Sequence, residues 1–405
     1  MEWQQVLASR SSRMKASEIR ELLKLLDQPD ILSFAGGIPD PSLFPTDACR
    51  DAFAAALANG SATQALQYSV SEGHLPLRQW IAVEMAKLAI PCDASNILIT
   101  SGSQQALDYL GKLMITPCDT VLVTWPTFLG ALGAFNAYEP TCDRLDPLGN
   151  RTAAEILVQA QAAGGRVKYA CLSPDFANPT GETLPLAARK ATLRLADDLD
   201  IAVVEDAAYQ VLRYDGDAVP PLLALDIAAK GSIEDSRIIY CGSFSKSLAP
   251  GLRFGWVCAA RAVIGRLVLM KQAADLHTSS INQIVTDLVA RAIFDPHAAT
   301  LRATYSARRD AMLAALAALA REMPQDVTWT RPEGGMFIWP TLPERLDGTD
   351  LPARSLAQEK VAFVPGRAVF ADGPNGNTLR LSFSCATPAL IDEGIRRLGQ
   401  LIRRS

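Results

Sequence analysis

Lys246 lies in the stretch SFSKSLAPGLRFGW (243–256), directly after the apolar run RIIYCG. Asp206 closes the run IAVVED, and Tyr209 follows three residues on. Ser101-Gly102-Ser103-Gln104 follows NILIT, and Asn178 stands in PDFANPTG after VKYACLS. Each of these side chains suits a definite chemistry. An amine in a partly desolvated site near another cation loses basicity and can bond a carbonyl as a Schiff base. A buried carboxylate can keep a ring nitrogen protonated. Small hydroxyl residues that open a helix, here Ser103 with Gln104, bind phosphate through free backbone N–H groups; Ser243, Ser245 and Arg253 suit the same anion. Taken singly, each has a plainer explanation. SxSK is a common surface turn, Asp206 could cap a helix, Asn178 could start a turn, and Phe128 could pack in a core. Their order along one chain outweighs those explanations.

The elements that must position these residues are legible in the hydrophobic pattern. NILIT (96–100), DTVLVT (119–124), VKYACLS (167–173), IAVVED (201–206) and RIIYCG (237–242) are short and rich in branched residues, and helical patterns separate them. Strands that alternate with helices predict an α/β fold with a mostly parallel sheet and helices on both faces. Ligands bind such sheets beyond the carboxyl ends of the strands. The ends of NILIT, VKYACLS, IAVVED and RIIYCG therefore offer hydroxyls, an amide, a carboxylate and an amine to one place. Residues 261–323 are mostly helical in pattern. MFIW, VAFV and TLRLSF then alternate with loops before a closing helix, which predicts a smaller α+β domain. At the start, ASEIRELLKLL (16–26) reads as an amphipathic helix and FAGGIPDPSLFP as an extended loop.

Composition removes several classes of function. The 405 residues carry a net charge of −4, which lacks the basic footprint of a nucleic-acid binder. No apolar run reaches the length of a membrane span, and the N-terminus lacks a signal-peptide core. The eight cysteines form no CxxC pair and the three histidines stand apart, so no metal site is expected. Free thiols suit a reducing, cytoplasmic setting. No GxGxxG follows any strand candidate, which argues against a dinucleotide-dependent oxidoreductase.

Phosphate donors, a Schiff-base lysine and a carboxylate for a ring nitrogen together describe pyridoxal 5′-phosphate. From about residue 13 to 400 the sequence resembles fold type I pyridoxal-phosphate enzymes, the class I/II aminotransferases. The motifs that carry the resemblance are FAGGIPDPSLFP, LQYSVSEGHLPLR, TSGSQQALD, NPTG, EDAAY, SFSKSLAPGLRFGW, PEGGMFIW and LRLSF. ASEIRELLK followed by ILSFAGGIPDPSLFP is similar to the aminoadipate and kynurenine aminotransferase-like branch. The resemblance implies an aspartate aminotransferase-like fold. Residues 1–45 would form an N-terminal helix and loop that belong with the small domain and cover the active site. Residues 46–290 would form the large cofactor domain and 291–405 the small one.

It also implies roles. Lys246 would bond the cofactor and shuttle the proton, and Asp206 would pair with the ring nitrogen. Tyr209 and Asn178 would contact the phenolic oxygen, with Asn178 also near the substrate carboxylate. Ser103, Gln104, Ser243 and Arg253 would hold the phosphate, and Phe128 would stack on the ring. Arg380 would grip the substrate α-carboxylate as a bidentate fork. Gly36 and Gly37 would line the substrate entrance, and Tyr68 would reach the phosphate of the other subunit of a homodimer. Arg20, on the first helix, would pair with a distal carboxylate of the substrate; a solvated helix arginine is the plainer alternative. The implied activity is ping-pong transfer of an amino group from an L-amino acid to a 2-oxo acid such as 2-oxoglutarate, without nucleic acid, membrane or metal. Two rivals share the scaffold: a lyase or decarboxylase, and a transcriptional regulator, for which the expected DNA-binding module has no room. Two positions depart from the family pattern, Ala177 before Asn178 and Trp125 beside the stacking position.

Overall fold

The computed structural model describes residues 2–14, 30–58, 60–322, 327–343, 346, 350–371 and 376–404. The helix expected at 16–26, and Arg20 on it, lie outside the described residues.

A seven-stranded sheet forms the larger body. Its strands are β1 (Ile97–Thr100), β2 (Thr120–Val123), β3 (Thr141–Arg144), β4 (Val167–Leu172), β5 (Ala202–Asp206), β6 (Ile238–Ser243) and β7 (Gly255–Cys258). Their order across the sheet is β1-β7-β6-β5-β4-β2-β3. All neighbours are parallel except β7, which runs antiparallel between β6 and β1. The period of two along each strand divides the side chains between two cores. Leu98, Val121, Tyr169, Val204 and Ile239 pack under the Ser103–Met114, Leu129–Asn136 and Arg261–Ala274 helices. Ile99, Leu122, Ala170, Val203 and Ile238 face the Thr46–Leu57, Leu75–Lys87 and Leu222–Lys230 helices. Strands buried on both faces must be apolar throughout, which is why these runs read so clearly in the sequence.

Two strands had no counterpart among the sequence expectations: β3, whose TCDR is polar and lies at the sheet edge, and β7. β7 matters for the site. Because it runs antiparallel to β6, its amino end lies beside the carboxyl ends of β1, β4, β5 and β6. Arg253, two residues before it, therefore arrives at the same edge as Asp206 and Lys246.

The Ser280–Glu322 helix is 43 residues long and joins the large body to a second core. Its first turns bury Val285, Val289 and Ala290 against the large sheet. From Leu301 to Leu319 it buries residues against Phe337, Phe363, Leu381, Ile391 and Ile395 instead. There Leu379–Ser382 is the middle strand of a three-stranded antiparallel sheet, flanked by Phe337–Ile338 and Val364–Pro365. Leu32–Ser33 pairs in parallel with Val361–Ala362 and so attaches to this second core, whereas Arg13 donates to the Pro140 carbonyl at 3.3 Å on the large body. The Pro388–Arg403 helix crosses Phe34 so closely that a Cβ on Gly394 would lie 2.4 Å from its ring. The two bodies meet where the loops beyond the strand ends face Arg380.

Candidate functional site

A cavity of about 290 Å³ opens at this meeting point. Gly37, Ser103, Gln104, Phe128, Asn178, Asp206, Tyr209, Ser243, Ser245, Lys246, Arg253 and Arg380 all line it. Segments separated by up to 343 positions in the chain thus converge as the strand-end rule requires. A larger cavity of about 560 Å³ lies behind the Ser243–Phe244 wall, among Trp80, Trp256 and Phe294. Lys246, Asp206, Asn178 and Arg380 line the smaller cavity and not the larger, so we assign the chemistry to the smaller one.

Asp206 ends β5 and is buried. One carboxylate oxygen accepts from the Ser173 hydroxyl at 3.5 Å. The other, Oδ1, is buried without a hydrogen-bond partner among the described residues. Burial pushes the carboxyl up to about 6, while the Ala208 N–H, the Ser173 hydroxyl and the Lys246 charge hold it from rising further. An orphaned carboxylate oxygen in a buried wall is costly unless something meets it.

Lys246 Nζ donates to the Gly37 carbonyl at 2.8 Å. Burial brings the amine down to about 8, with Arg380 and then Arg253 adding to the effect and Asp206 opposing it. Arg253, seven residues on in the sequence, thus contributes less than the distant Arg380. Arg253 reaches the edge through the Pro250–Leu252 turn and takes a left-handed conformation, φ +55°.

Arg380 is buried on its strand, its guanidinium 4.5 Å from the Phe337 ring centroid. Nη1 donates to Asn178 Oδ1 at 2.8 Å and Nη2 to the Ala35 carbonyl at 2.7 Å, while Nε has no partner among the described residues. Burial lowers the guanidinium to about 10. Asn178 also lies 3.5 Å from the Tyr209 hydroxyl, which burial holds well above its ordinary range. Gly37 is tight: a Cβ there would lie 3.0 Å from the Phe337 ring.

At the other end of the cavity the Ser103–Met114 helix begins after Gly102, φ +84°. The Gln104 side chain is engaged with the Gly130 carbonyl at 2.7 Å, which leaves its backbone N–H and that of Ser103 for an anion. The Ser243 hydroxyl accepts the Ser245 N–H at 3.1 Å. Phe128 stands at the start of the Leu129–Asn136 helix and lines the cavity.

Tyr68 is placed elsewhere. It is 78% exposed, rests edge-on against His277 with centroids 5.8 Å apart, and does not line the cavity. Gly36 and Trp125 do not line it either. Ser173, Ile38 and Ala208 touch the site without having been singled out from sequence. The strand-end rule would have found Ser173, the residue after β4.

The residues present fit pyridoxal phosphate. A buried, unpartnered carboxylate oxygen meets the need of a protonated ring nitrogen, a weakly basic amine that of a carbonyl, and free helix N–H groups with an arginine that of a phosphate.

Comparison with known proteins points the same way. The profile of the family described as aminotransferase class I and II matches residues 39–398. The chain is 41% identical over 409 residues to aromatic-amino-acid aminotransferase 1 of Thermococcus litoralis, covering 100% of this chain and 95% of that one. It is 40% identical over 407 residues to 2-aminoadipate transaminase of Thermus thermophilus, covering 100% and 98%. Among solved structures, kynurenine aminotransferase of Pyrococcus horikoshii is 40% identical with a TM-score of 0.89, covering 100% and 98%. The alpha-aminoadipate aminotransferase of Thermus thermophilus, solved with N-(5′-phosphopyridoxyl)-L-leucine, is 38% identical with a TM-score of 0.87, covering 100% and 99%.

Proposed function

This chain belongs to the class I and II aminotransferases, in the aminoadipate and kynurenine aminotransferase-like branch, and we propose that Lys246, Asp206 and Arg380 carry its transamination. It has the aspartate aminotransferase-like fold, uses pyridoxal 5′-phosphate and moves amino groups between amino acids and 2-oxo acids. The observation that carries the residue assignment is the unpartnered Oδ1 of Asp206 in the cavity that also holds the Lys246 amine.

When bound, the cofactor supplies a carbonyl that takes up an amino group and a ring that accepts the electron pair left by the α-proton. Asp206 would pair with the ring nitrogen through its free Oδ1 and, ionised above about pH 6, would favour the protonated form. Lys246 would be the covalent attachment point for the cofactor and, when its amine is free, the base. At a pKa of about 8, roughly a tenth of such amines are neutral at pH 7, against far fewer for an ordinary lysine. With the cofactor bound, its Nζ would accept the substrate α-proton and hold it for return. Arg380 holds the substrate α-carboxylate by its guanidinium fork, with Asn178 fixing the plane of that fork through Nη1. Asn178 and Tyr209 would present an amide and a hydroxyl to the phenolic oxygen. The Ser103 and Gln104 N–H groups, Ser243 and Arg253 would take the phosphate, and Phe128 would cover the ring. Gly37 keeps the substrate entrance open.

The same reading includes a ping-pong cycle with a second 2-oxo acid, 2-oxoglutarate by preference, and Arg20 as the reader of a distal carboxylate. Relatives named for aromatic amino acids, aminoadipate and kynurenine support a broad donor range. A homodimer is supported by Tyr68, which is exposed, outside its own cavity and beside exposed Leu66 and Val70. The division near residue 290 follows the change of core along the long helix. A cytoplasmic location fits the eight free cysteines. Among the described residues no helix is long and apolar enough to cross a membrane.

Lys246→Ala tests the assignment. The variant should hold pyridoxal phosphate without a covalent link and lose at least about a hundredfold in turnover. Transamination at the rate of the unaltered enzyme would refute the role of Lys246. If no amino acid in a broad panel converts the bound cofactor of the unaltered enzyme to its pyridoxamine form, transamination itself fails and a lyase or decarboxylase takes its place.

A further inference from the structure

The turn that offers its backbone to phosphate is gripped from behind by a cluster of polar groups that do not line the cavity. Lys271, on the Arg261–Ala274 helix, is fully buried. Its Nζ donates to Gln105 Oε1 and to both carboxylate oxygens of Asp275, each at 3.0 Å. Gln105 Oε1 also accepts the Ser101 N–H at 2.9 Å, and Gln105 Nε2 donates to Asp275 Oδ2 at 2.8 Å. The Tyr109 hydroxyl donates to Asp275 Oδ1 at 3.2 Å and the Ser101 hydroxyl to Oδ2 at 3.4 Å. From the cavity side, Arg253 Nη2 donates to the Ser101 carbonyl at 3.5 Å.

Ser101 is therefore held at its N–H, its O–H and its C=O, one residue before Gly102 and two before Ser103. The turn is also packed tightly against the neighbouring strand: a Cβ on Gly255 would lie 2.6 Å from the Ser103 nitrogen. A buried ammonium is costly and is tolerated only when paired and hydrogen-bonded. Packing the helix against the sheet does not require it, since an apolar side chain of similar volume would fill the same space. The charge instead serves Gln105 and Asp275, the two side chains that hold Ser101.

We propose that Lys271, acting through Gln105 and Asp275, is a positioning residue for the phosphate end of the site: it fixes the direction in which the backbone N–H groups of Ser103 and Gln104 point. This rests on the reading that Ser103, Gln104 and Arg253 hold the cofactor phosphate. It makes a sharp demand, because the cluster must matter for a ligand that carries a phosphate and be indifferent to one that does not.

The full-length chain, stripped of cofactor, is titrated with pyridoxal 5′-phosphate and separately with pyridoxal, which has the same ring and carbonyl and no phosphate; cofactor absorbance reads both. Lys271→Met should weaken pyridoxal phosphate about tenfold or more, the effect of about 1.4 kcal/mol, and leave pyridoxal within about twofold. Gln105→Met, which removes the acceptor of the Ser101 N–H, should give the same selective loss and serves if Lys271→Met fails to fold. Equal weakening of both ligands would mean that the cluster only packs the fold, and no weakening would mean that it does not set the turn; either result overturns the proposal. Arg253→Met separates the two levels of the argument. If it weakens pyridoxal phosphate selectively while Lys271→Met and Gln105→Met do not, the phosphate reading stands and the positioning role falls. If Arg253→Met shows no such selectivity, the phosphate reading fails and the positioning role with it.

Discussion

Replacing Asp206 by asparagine should push stability and chemistry in opposite directions. In the cofactor-free protein Asp206 is a liability. Its carboxyl titrates at 3.8 in the unfolded chain and at about 6 in the folded one, because burial penalises the charge. At about 1.4 kcal/mol for each pH unit between the two, ionised Asp206 costs about 3 kcal/mol above pH 6. Between those values the folded protein keeps a proton that the unfolded chain has released, so stability falls as pH rises through the window. The share lost between pH 5 and pH 7.5 is about 1.4 kcal/mol. Asparagine has the same shape, can still accept from the Ser173 hydroxyl and does not titrate. Thermal unfolding of cofactor-free Asp206→Asn and unaltered protein at both pH values should therefore show the variant gaining on the parent by about 2 °C from pH 5 to pH 7.5. With cofactor bound the sign reverses, because the ring nitrogen loses the charge that keeps it protonated. Conversion of cofactor to its pyridoxamine form by an amino acid should slow by about a hundredfold or more. An unchanged pH slope in the cofactor-free variant would refute the buried-charge argument. A loaded variant reacting at the parental rate would refute the role of Asp206.

Further tests address the rest of the site. Arg380→Lys keeps the charge and loses the fork, so KM for amino acids should rise by about tenfold or more while kcat falls less; an unchanged KM removes Arg380 from carboxylate binding. If a homodimer brings Tyr68 to the partner's phosphate, a mixture of Tyr68→Ala and Lys246→Ala chains should form hybrids in which the site that pairs Lys246 with an intact tyrosine regains cofactor retention. Mixtures that behave as the sum of the two variants would speak against a shared site. Arg20→Ala should lower kcat/KM for acidic donors and spare aromatic ones. Equal losses on both, or none, would end its role as a reader of a distal carboxylate.

The parts of the site that could be read from sequence are those attached to strands. Strands buried on both faces leave unbroken apolar runs, and the residues at and within a few positions of each run's end face the site, which is how Asp206, Asn178, Ser103 and Lys246 come together. What could not be read depends on pairing between distant segments. GWVC looks like any short strand, and only its antiparallel place between β6 and β1 returns Arg253 to the working edge. Lys271 would pass for a solvated lysine. Its burial follows from Asp275 one helical turn away and Gln105, 166 positions distant, closing over it. Arg380 could be named only through the family resemblance, since nothing in LRLSF tells that its strand abuts the far end of another sheet. TCDR has the polarity of a loop, and its edge position makes it a strand.

The Ser280–Glu322 helix also constrains how such a chain can be altered. Its early turns complete one core and its later turns another, so the two bodies share a single continuous piece of backbone and cannot be exchanged as cassettes. A chimera with a crossover inside this rod must satisfy two unrelated packing surfaces and preserve the helical phase between them, because one added residue rotates everything beyond it by about 100°. Recombination is tolerated best outside the helix, in loops that belong to one body, and the catalytic geometry between the two bodies is inherited whole.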